Sequence, residues 1–327
     1  MRLLILGGNV YLSKAVARQA IARSHDVTVA SRGTSGEPPA GARVLTIDRS
    51  TVEGMSALRG ETFDAVVDVA RVPVHVKNAV EVLGGSVGHY GFVSTRSVYS
   101  DSDTEGATVA DSPVFEPAAE DSADAAMERY GPSKVACENL VRAAYPDAHA
   151  IFRAGLVIGP DDPGDRFGYW PWRIAQGGEV LAPGDPAAPL QWIDVEDLAT
   201  WATDAAEKGL TGTFDGVCPA VTWREFLDGV AEGAGVRPTF TWVPPEVIGA
   251  AGVRPWAGPD SLPLWVGGGY DGFMARDVSA SVAAGMPSRS VADSTRRWLA
   301  WNDGSPAVKA GITREKEAEV LASWHAR

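Results

Sequence analysis

Apolar positions along this chain come first as short unbroken runs and then as helical stripes. Leu3–Leu6 is a continuous apolar run stopped by Gly7-Gly8. That is the pattern of a strand buried on both faces, as parallel sheets require. A helical pattern follows over about Leu12 to Ala22, and His25–Ala30 reads as the next strand. The result is a βαβ opening, in which a turn and a helix N-terminus can hold a pyrophosphate. Further strands are expected at Val44–Asp48, Phe63–Ala70, Gly91–Thr95 and Ile151–Pro160, the last ending in a sharp stop. Such a series predicts an α/β fold with a Rossmann-type, doubly wound parallel sheet.

The pattern changes after Pro160. Residues 161–167 form a turn-rich charged loop, and Tyr169-Trp170-Pro171-Trp172-Arg173 starts a helix. Gln191–Ala199 reads as a strand and helix that return the chain to the nucleotide-binding part. Thr222 is an N-cap with Glu225 as its capping-box partner. Phe240–Val243 is a short strand. Val253–Gly272 is rich in Pro, Gly and Trp without periodicity and reads as a lid or pocket wall. Arg296–Trp301 and Thr313–Trp324 are closing helices, with Glu315, Glu317 and Glu319 on a solvated face. The expected division is interleaved: a dinucleotide-binding domain over 1–165, rejoined by 188–217, and a smaller, mostly C-terminal substrate domain over 166–187 and 218–327.

Composition narrows the function classes. The chain has 327 residues and a formal charge of -13. An acidic protein is a poor partner for nucleic acid or an anionic membrane. Cys137 and Cys218 are the two cysteines, so a disulfide framework is not expected and a reducing, cytoplasmic setting fits. The amino terminus runs into glycines too soon for a signal peptide, and no apolar run is long enough to span a bilayer. The five histidines never cluster with acids at ligand spacing, so no metal site is expected. Ser94, Ser97 and Ser133 lack a histidine partner, which disfavours a hydrolase triad. Cys137, three residues beyond Lys134, reads as a small buried apolar residue.

The candidate chemistry centres on Tyr130-Gly131-Pro132-Ser133-Lys134. On a helix, Tyr130 and Lys134 share one face. A fixed ammonium stabilises a nearby phenolate, so such a phenol can exchange a proton with a substrate oxygen near neutral pH. Pro132 fits the first turn of a helix, which places Tyr130 at the helix entry and Lys134 one turn in. Thr95, at the carboxyl end of its strand, is placed by topology near the same crevice. Ser31-Arg32 closes the second strand, where a carboxylate would bind the ribose hydroxyls of NAD. A hydroxyl and a guanidinium suit a 2′-phosphate better, so NADP is the expected cofactor, with NAD as the alternative. The pattern Gly-x-x-Gly-x-x-Gly is broken, with Gly7, Val10 and Ser13 in its places; Val10 cannot reach positive φ cheaply. Arg166 or Arg173 is suited to a substrate phosphate or carboxylate. Trp170, Trp172, Trp256 and Trp265 are read either as the lining of a pocket for a ring-containing substrate or as ordinary packing.

Together, Gly7-Gly8, Val93-Ser94-Thr95-Arg96-Ser97-Val98-Tyr99, the Tyr130–Lys134 segment, Arg153 to Pro160 and Gln191–Ala199 resemble the short-chain dehydrogenase/reductase superfamily. Their order is that of its extended branch, the NAD-dependent epimerase/dehydratase type. The resemblance implies that Tyr130 is the catalytic acid/base, that Lys134 holds the nicotinamide ribose, and that Thr95 hydrogen-bonds the reacting oxygen. It implies that Gly7, Gly8 and the Asn9-Val10-Tyr11-Leu12 backbone face the pyrophosphate. Asp48 and Arg49 would lie near the adenine and Val69, Ala70 and Arg71 near the ribose. Ala154, Gly155 and Leu156 complete the cofactor-facing set. Arg96, Ser97, Arg166, Tyr169, Trp170 and Trp192 are the expected substrate contacts. Arg96-Ser97 replaces the Asp-Glu pair of the sugar-nucleotide dehydratases, which disfavours dehydration. The expected function is hydride transfer between a nicotinamide cofactor and a carbonyl or alcohol of a small molecule. A sugar-nucleotide epimerase with retained NAD and a non-catalytic cofactor-binding scaffold are the alternatives, and a monomer or homodimer is expected.

Overall fold

A computed structural model describes residues 1–267, 270–303 and 309–327. The central sheet begins with β1 (Arg2–Leu6), α1 (Tyr11–Ala22), β2 (Asp26–Ser31) and β3 (Arg43–Thr46). It continues through β4 (Phe63–Asp68), α2 (Pro73–Leu83), β5 (Val87–Thr95), α3 (Tyr130–Ala144) and β6 (His149–Ala154). Leu3, Leu4, Ile5 and Leu6 are wholly buried, because helices cover both faces of the sheet.

The expected strand from Ile151 to Pro160 divides at Gly155. Beyond it, β7 (Leu156–Ile158) leaves the sheet and pairs in parallel with β10. A Cβ at Gly155 would lie 2.3 Å from Val217 Cγ1, so only glycine lets the chain pass there. Next come α4 (Tyr169–Ala175), β8 (Glu179–Pro183), β9 (Pro189–Leu190), β10 (Trp192–Asp194), α5 (Val195–Lys208) and β11 (Gly212–Gly216). β11 returns to the main sheet and pairs in parallel with β6. The seven strands then run β11-β6-β5-β4-β1-β2-β3, all in parallel. The order reverses between β1 and β4, and crevices for ligands open at such a switch, beyond the carboxyl ends of the strands.

The rest of the chain adds β12 (Val221–Thr222), α6 (Trp223–Ala234), β13 (Thr239–Val243) and α7 (Pro245–Ala250). Then come β14 (Arg254–Trp256), β15 (Ser261–Pro263), α8 (Asp271–Met274), α9 (Ser279–Ala283), α10 (Val291–Asn302) and α11 (Arg314–His325). Thr222 and Glu225 do form the capping box of α6. The stretch 253–272, expected to be irregular, carries the parallel pair β14–β15. Glu317 is not on a solvated face: it is 2% exposed and pairs with Arg173 at 2.5 Å. Arg173 is itself buried, so the pair joins α4 to α11 rather than reaching toward a ligand.

Most of the tryptophans expected at a pocket build a second apolar core. Trp170 stacks edge-on against Trp223 at 5.4 Å, and Trp192 and Trp223 both pack on Phe226. The Trp170 indole N–H donates to the Pro263 carbonyl at 2.9 Å, which satisfies its one polar atom. Tyr169 and Trp265 are buried in the same cluster, and Trp172 packs partly buried against it. Trp170, Tyr169 and Trp192 therefore pack rather than line a cleft. Among the described residues, no helix is long and apolar enough to cross a membrane, and no group of His, Cys, Asp or Glu is arranged to hold a metal. Both cysteines are buried; burial pushes the Cys137 thiol up to about 12 and the Cys218 thiol to about 11.

Candidate active site

The first turn of the sheet tolerates its missing glycines for a definite reason. Positive φ falls on Gly7 (+123°), Gly8 (+93°) and Tyr11 (+43°). Val10 has φ -133° and caps α1 in an extended conformation, so a β-branched residue is unstrained there. The close approach to the neighbouring strand falls on Gly8, where a Cβ would lie 2.6 Å from Val29. Ser13 is buried, but its hydroxyl donates to the Val10 carbonyl at 2.9 Å. The polar side chain is thereby absorbed where α1 meets β1.

Two contiguous cavities open along this edge. One of about 450 Å³ is lined by Gly7, Asn9, Val10, Ser31, Arg32, Asp48, Arg49 and Ala70 among others. A second of about 390 Å³ holds Tyr11, Leu12, Thr95, Ser97, Tyr130, Lys134, Gly155, Leu156 and Arg166. Val69 and Arg71 line both. Unpartnered polar atoms test whether these cavities suit a dinucleotide. Asn9 Oδ1 and the Tyr11 hydroxyl are buried without a hydrogen-bond partner, a costly state unless a ligand completes it. Burial and the nearby Asp162 carboxylate raise the Tyr11 phenol well above its ordinary value, so it stays a donor. These groups fit the cofactor.

In the first cavity, Ser31 Oγ accepts from Asn9 Nδ2 at 3.1 Å and from the Gly33 N–H at 3.2 Å. Arg32 is exposed and makes no ion pair among the described residues. Asp48 Oδ1 accepts from the Ser50 N–H and hydroxyl, which hold its carboxyl below the usual carboxylate range. Arg49 also lines the cavity, but its guanidinium is committed to a bidentate pair with the buried Asp68 at 2.6 and 2.8 Å. Its expected place near an adenine is thus occupied by a side chain already engaged elsewhere.

In the second cavity, Tyr130 is the first residue of α3 and Lys134 sits one turn further in. Gly131 makes this placement possible. A Cβ there would lie 2.3 Å from the Ser97 carbonyl oxygen, so the helix start can press against the turn after β5. Thr95 ends β5 and caps that 3-10 turn; its Oγ1 accepts from the Ser97 N–H at 3.1 Å. Gly131→Ala is therefore expected to force α3 and the turn apart, at a cost of ~1–3 kcal/mol. A lowered Tm together with a lowered kcat checks it; an unchanged kcat would show that the spacing of Tyr130 from Thr95 does not matter.

Lys134 is 2% exposed and has no carboxylate partner among the described residues. Its ammonium donates to the Ala70 carbonyl at 2.7 Å and to the Val93 carbonyl, and sits 4.1 Å from the centre of the Phe92 ring. An ammonium has three donors, which leaves one N–H for a ligand in the cleft. Arg71 lies over the Tyr130 ring at 5.5 Å. Arg166 pairs with Asp162 at 3.5 Å and reaches over Trp256 at 5.8 Å. Phe273 and Asp162 line the cleft too; neither was marked in the sequence, since nothing local distinguishes a pocket phenylalanine from a core one.

Arg96 has a different place from the one expected. It is fully buried, donates to Gln191 Oε1 at 2.8 Å and lies over Phe273 at 4.2 Å. Burial lowers its guanidinium to about 10. It supports the wall of the cleft from behind rather than facing a substrate.

The fold is similar to that of known proteins. The family model "NAD dependent epimerase/dehydratase family" matches residues 70–214. This match covers less than half of the chain, whose fold and motifs resemble those of the extended branch of the short-chain dehydrogenase/reductases. It is 28% identical over 249 residues to the 2'-dehydrokanamycin reductase of Streptomyces kanamyceticus, which spans 72% of this chain and 67% of that protein. Its fold matches the UDP-N-acetylglucosamine 4-epimerase of Bacillus cereus with a TM-score of 0.68 at 15% identity, covering 94% of this chain and 98% of that one. The Thermus thermophilus UDP-glucose 4-epimerase, solved in complex with NAD, matches with a TM-score of 0.59 at 20% identity, covering 93% and 100%. Together these similarities support a nicotinamide-dependent enzyme of the epimerase/reductase type.

Proposed function

We propose that the chain is an NADPH-dependent reductase that acts on a carbonyl, or in reverse an alcohol, of a small organic molecule. The convergence of Thr95, Tyr130 and Lys134 on one cleft carries this reading. Gly7, Gly8 and the Asn9–Leu12 turn would hold the pyrophosphate, and Ser31 and Arg32 the 2′-phosphate. When bound, the cofactor supplies the hydride. The Tyr130 hydroxyl gives its proton to the carbonyl oxygen as charge develops there. The Thr95 hydroxyl turns from Ser97 to donate to the same oxygen. Lys134, fixed by two carbonyls, offers its remaining N–H to the nicotinamide ribose and stabilises the phenolate left on Tyr130.

Arg32 supports NADPH over NADH, because its guanidinium is exposed at the end of β2 and is not claimed by a carboxylate. Titration of the purified protein, followed by nucleotide fluorescence, should show NADPH binding about tenfold or more tighter than NADH. Arg32→Ala should weaken NADPH by that factor and leave NADH unchanged. Equal loss for both nucleotides would remove Arg32 from the 2′-phosphate site. Co-purified NAD with no net cofactor consumption would favour the epimerase reading, and tight binding without any turnover the scaffold.

A further inference from the structure

A third cavity, of about 520 Å³, adjoins the cleft of Tyr130 and shares Ser97, Trp256 and Phe273 with it. Five aromatic rings line it: Tyr99, Phe115, Trp256, Tyr270 and Phe273. Its described lining includes no charged side chain. Three of the rings remain open to solvent, with Phe115 at 42%, Trp256 at 38% and Tyr270 at 50% exposure. Large apolar side chains gathered around an open hollow mark a ligand surface rather than a core.

Trp256 adds an independent indication. Its backbone is held at φ +83°, a conformation that a bulky residue rarely adopts and that surrounding structure must impose. Its N–H donates to the Trp265 carbonyl at 2.7 Å and its own carbonyl accepts from the Leu264 N–H at 3.1 Å. The β14–β15 pair thus fixes a strained residue so that its indole forms the wall between the two cavities. Neighbouring arginines do not alter the cavity's character. Arg96 lies over Phe273 and donates to Gln191, while Arg276 and Arg153, both over the Tyr99 ring, are bound to Asp215 at 2.7 Å and Glu138 at 2.8 Å.

We infer that the substrate is a ketone or aldehyde carried on an apolar ring system, with the ring in this aromatic hollow and the carbonyl at Ser97's edge, beside Tyr130 and Thr95. The inference rests on the reductase reading. A diphosphate does not suit the hollow, because its described lining offers no cation to replace lost water; Arg166, over Trp256, lines the cleft of Tyr130 and is paired with Asp162. The rings instead stack with a flat or alicyclic partner.

The test is calorimetric titration of the NADPH-loaded protein with 1-tetralone, a bicyclic ketone, and with UDP-glucose. Saturable binding of 1-tetralone, absent for UDP-glucose, is expected. Trp256→Ala and Tyr270→Ser should each weaken it about tenfold. Both residues are partly exposed, so at least one variant should fold. Binding of UDP-glucose but not 1-tetralone, binding of neither, or 1-tetralone binding unchanged in both variants would overturn the inference. Oxidation of NADPH is followed in parallel with 1-tetralone and with glyceraldehyde, a polar carbonyl. Turnover of glyceraldehyde without 1-tetralone binding overturns the ring assignment and spares the reductase reading. Binding of 1-tetralone without oxidation of NADPH by either carbonyl does the reverse.

Discussion

Tyr130→Phe is expected to lower kcat by about 10²–10⁴-fold while NADPH affinity stays nearly unchanged. The change removes one hydroxyl and keeps the ring. The Arg71 guanidinium still lies over that ring, and Lys134 keeps its two carbonyl partners. The cleft should therefore retain its shape and its grip on cofactor. What disappears is the hydroxyl at the start of α3 that lines the same cleft as Thr95 and Lys134. Single-turnover reduction of a carbonyl, with NADPH binding measured separately by fluorescence, distinguishes a chemical defect from a binding one. A variant that turns over within tenfold of the parent would falsify the acid/base role. Loss of NADPH affinity in step with kcat would instead show that the hydroxyl mainly shapes the cofactor site.

Much of this site was legible because its parts are local. A strand, two glycines and a helix lie within the first 22 residues, and Tyr130 to Lys134 is one helical turn. The parallel sheet was legible from short, largely apolar runs such as Leu3–Leu6, wholly buried in β1. The glycine pattern misled in detail because it counts residues, not torsions: the left-handed positions are Gly7, Gly8 and Tyr11, and Val10 needs none of that freedom. The substrate side was read less well. Trp170, Trp192 and Tyr169 look the same in sequence whether they pack together or face a ligand. Only tertiary contacts put them in the second core and left Trp256 at the cleft. Glu317 shows the same limit, since its partner Arg173 lies 144 residues away. The Arg49–Asp68 pair, joined across 19 residues, was equally hidden.

That pair carries the other large expected effect. Asp68 is fully buried on β4 and accepts from both nitrogens of Arg49, from the Tyr90 hydroxyl at 2.7 Å and from the Ala70 N–H at 2.8 Å. Burial alone would raise its carboxyl, but the Arg49 guanidinium and these donors outweigh burial and hold it below the usual carboxylate range. Asp68→Asn keeps an acceptor for Ala70 but leaves Arg49 as an uncompensated charge, so it should destabilise the fold by ~3–5 kcal/mol. Adding Arg49→Met removes that charge and should recover most of the loss, as a double-mutant cycle would measure. The sign of the pH dependence follows from the lowered carboxyl. Its contribution is fully present above the unfolded value of about 4 and is lost as pH falls through the folded value. The gap in Tm between parent and Asp68→Asn should therefore be wide at pH 7 and narrow in acid; a gap that does not change with pH would mean that Asp68 is not the ionised partner. The same carboxylate fixes the Ala70 N–H, and the Ala70 carbonyl holds the Lys134 ammonium at 2.7 Å. Asp68→Asn should thus also weaken NADPH binding, although Asp68 itself is buried beneath the cleft. If stability falls while NADPH affinity is unchanged, the pair supports the sheet alone and Lys134 is positioned by Val93 and its own helix.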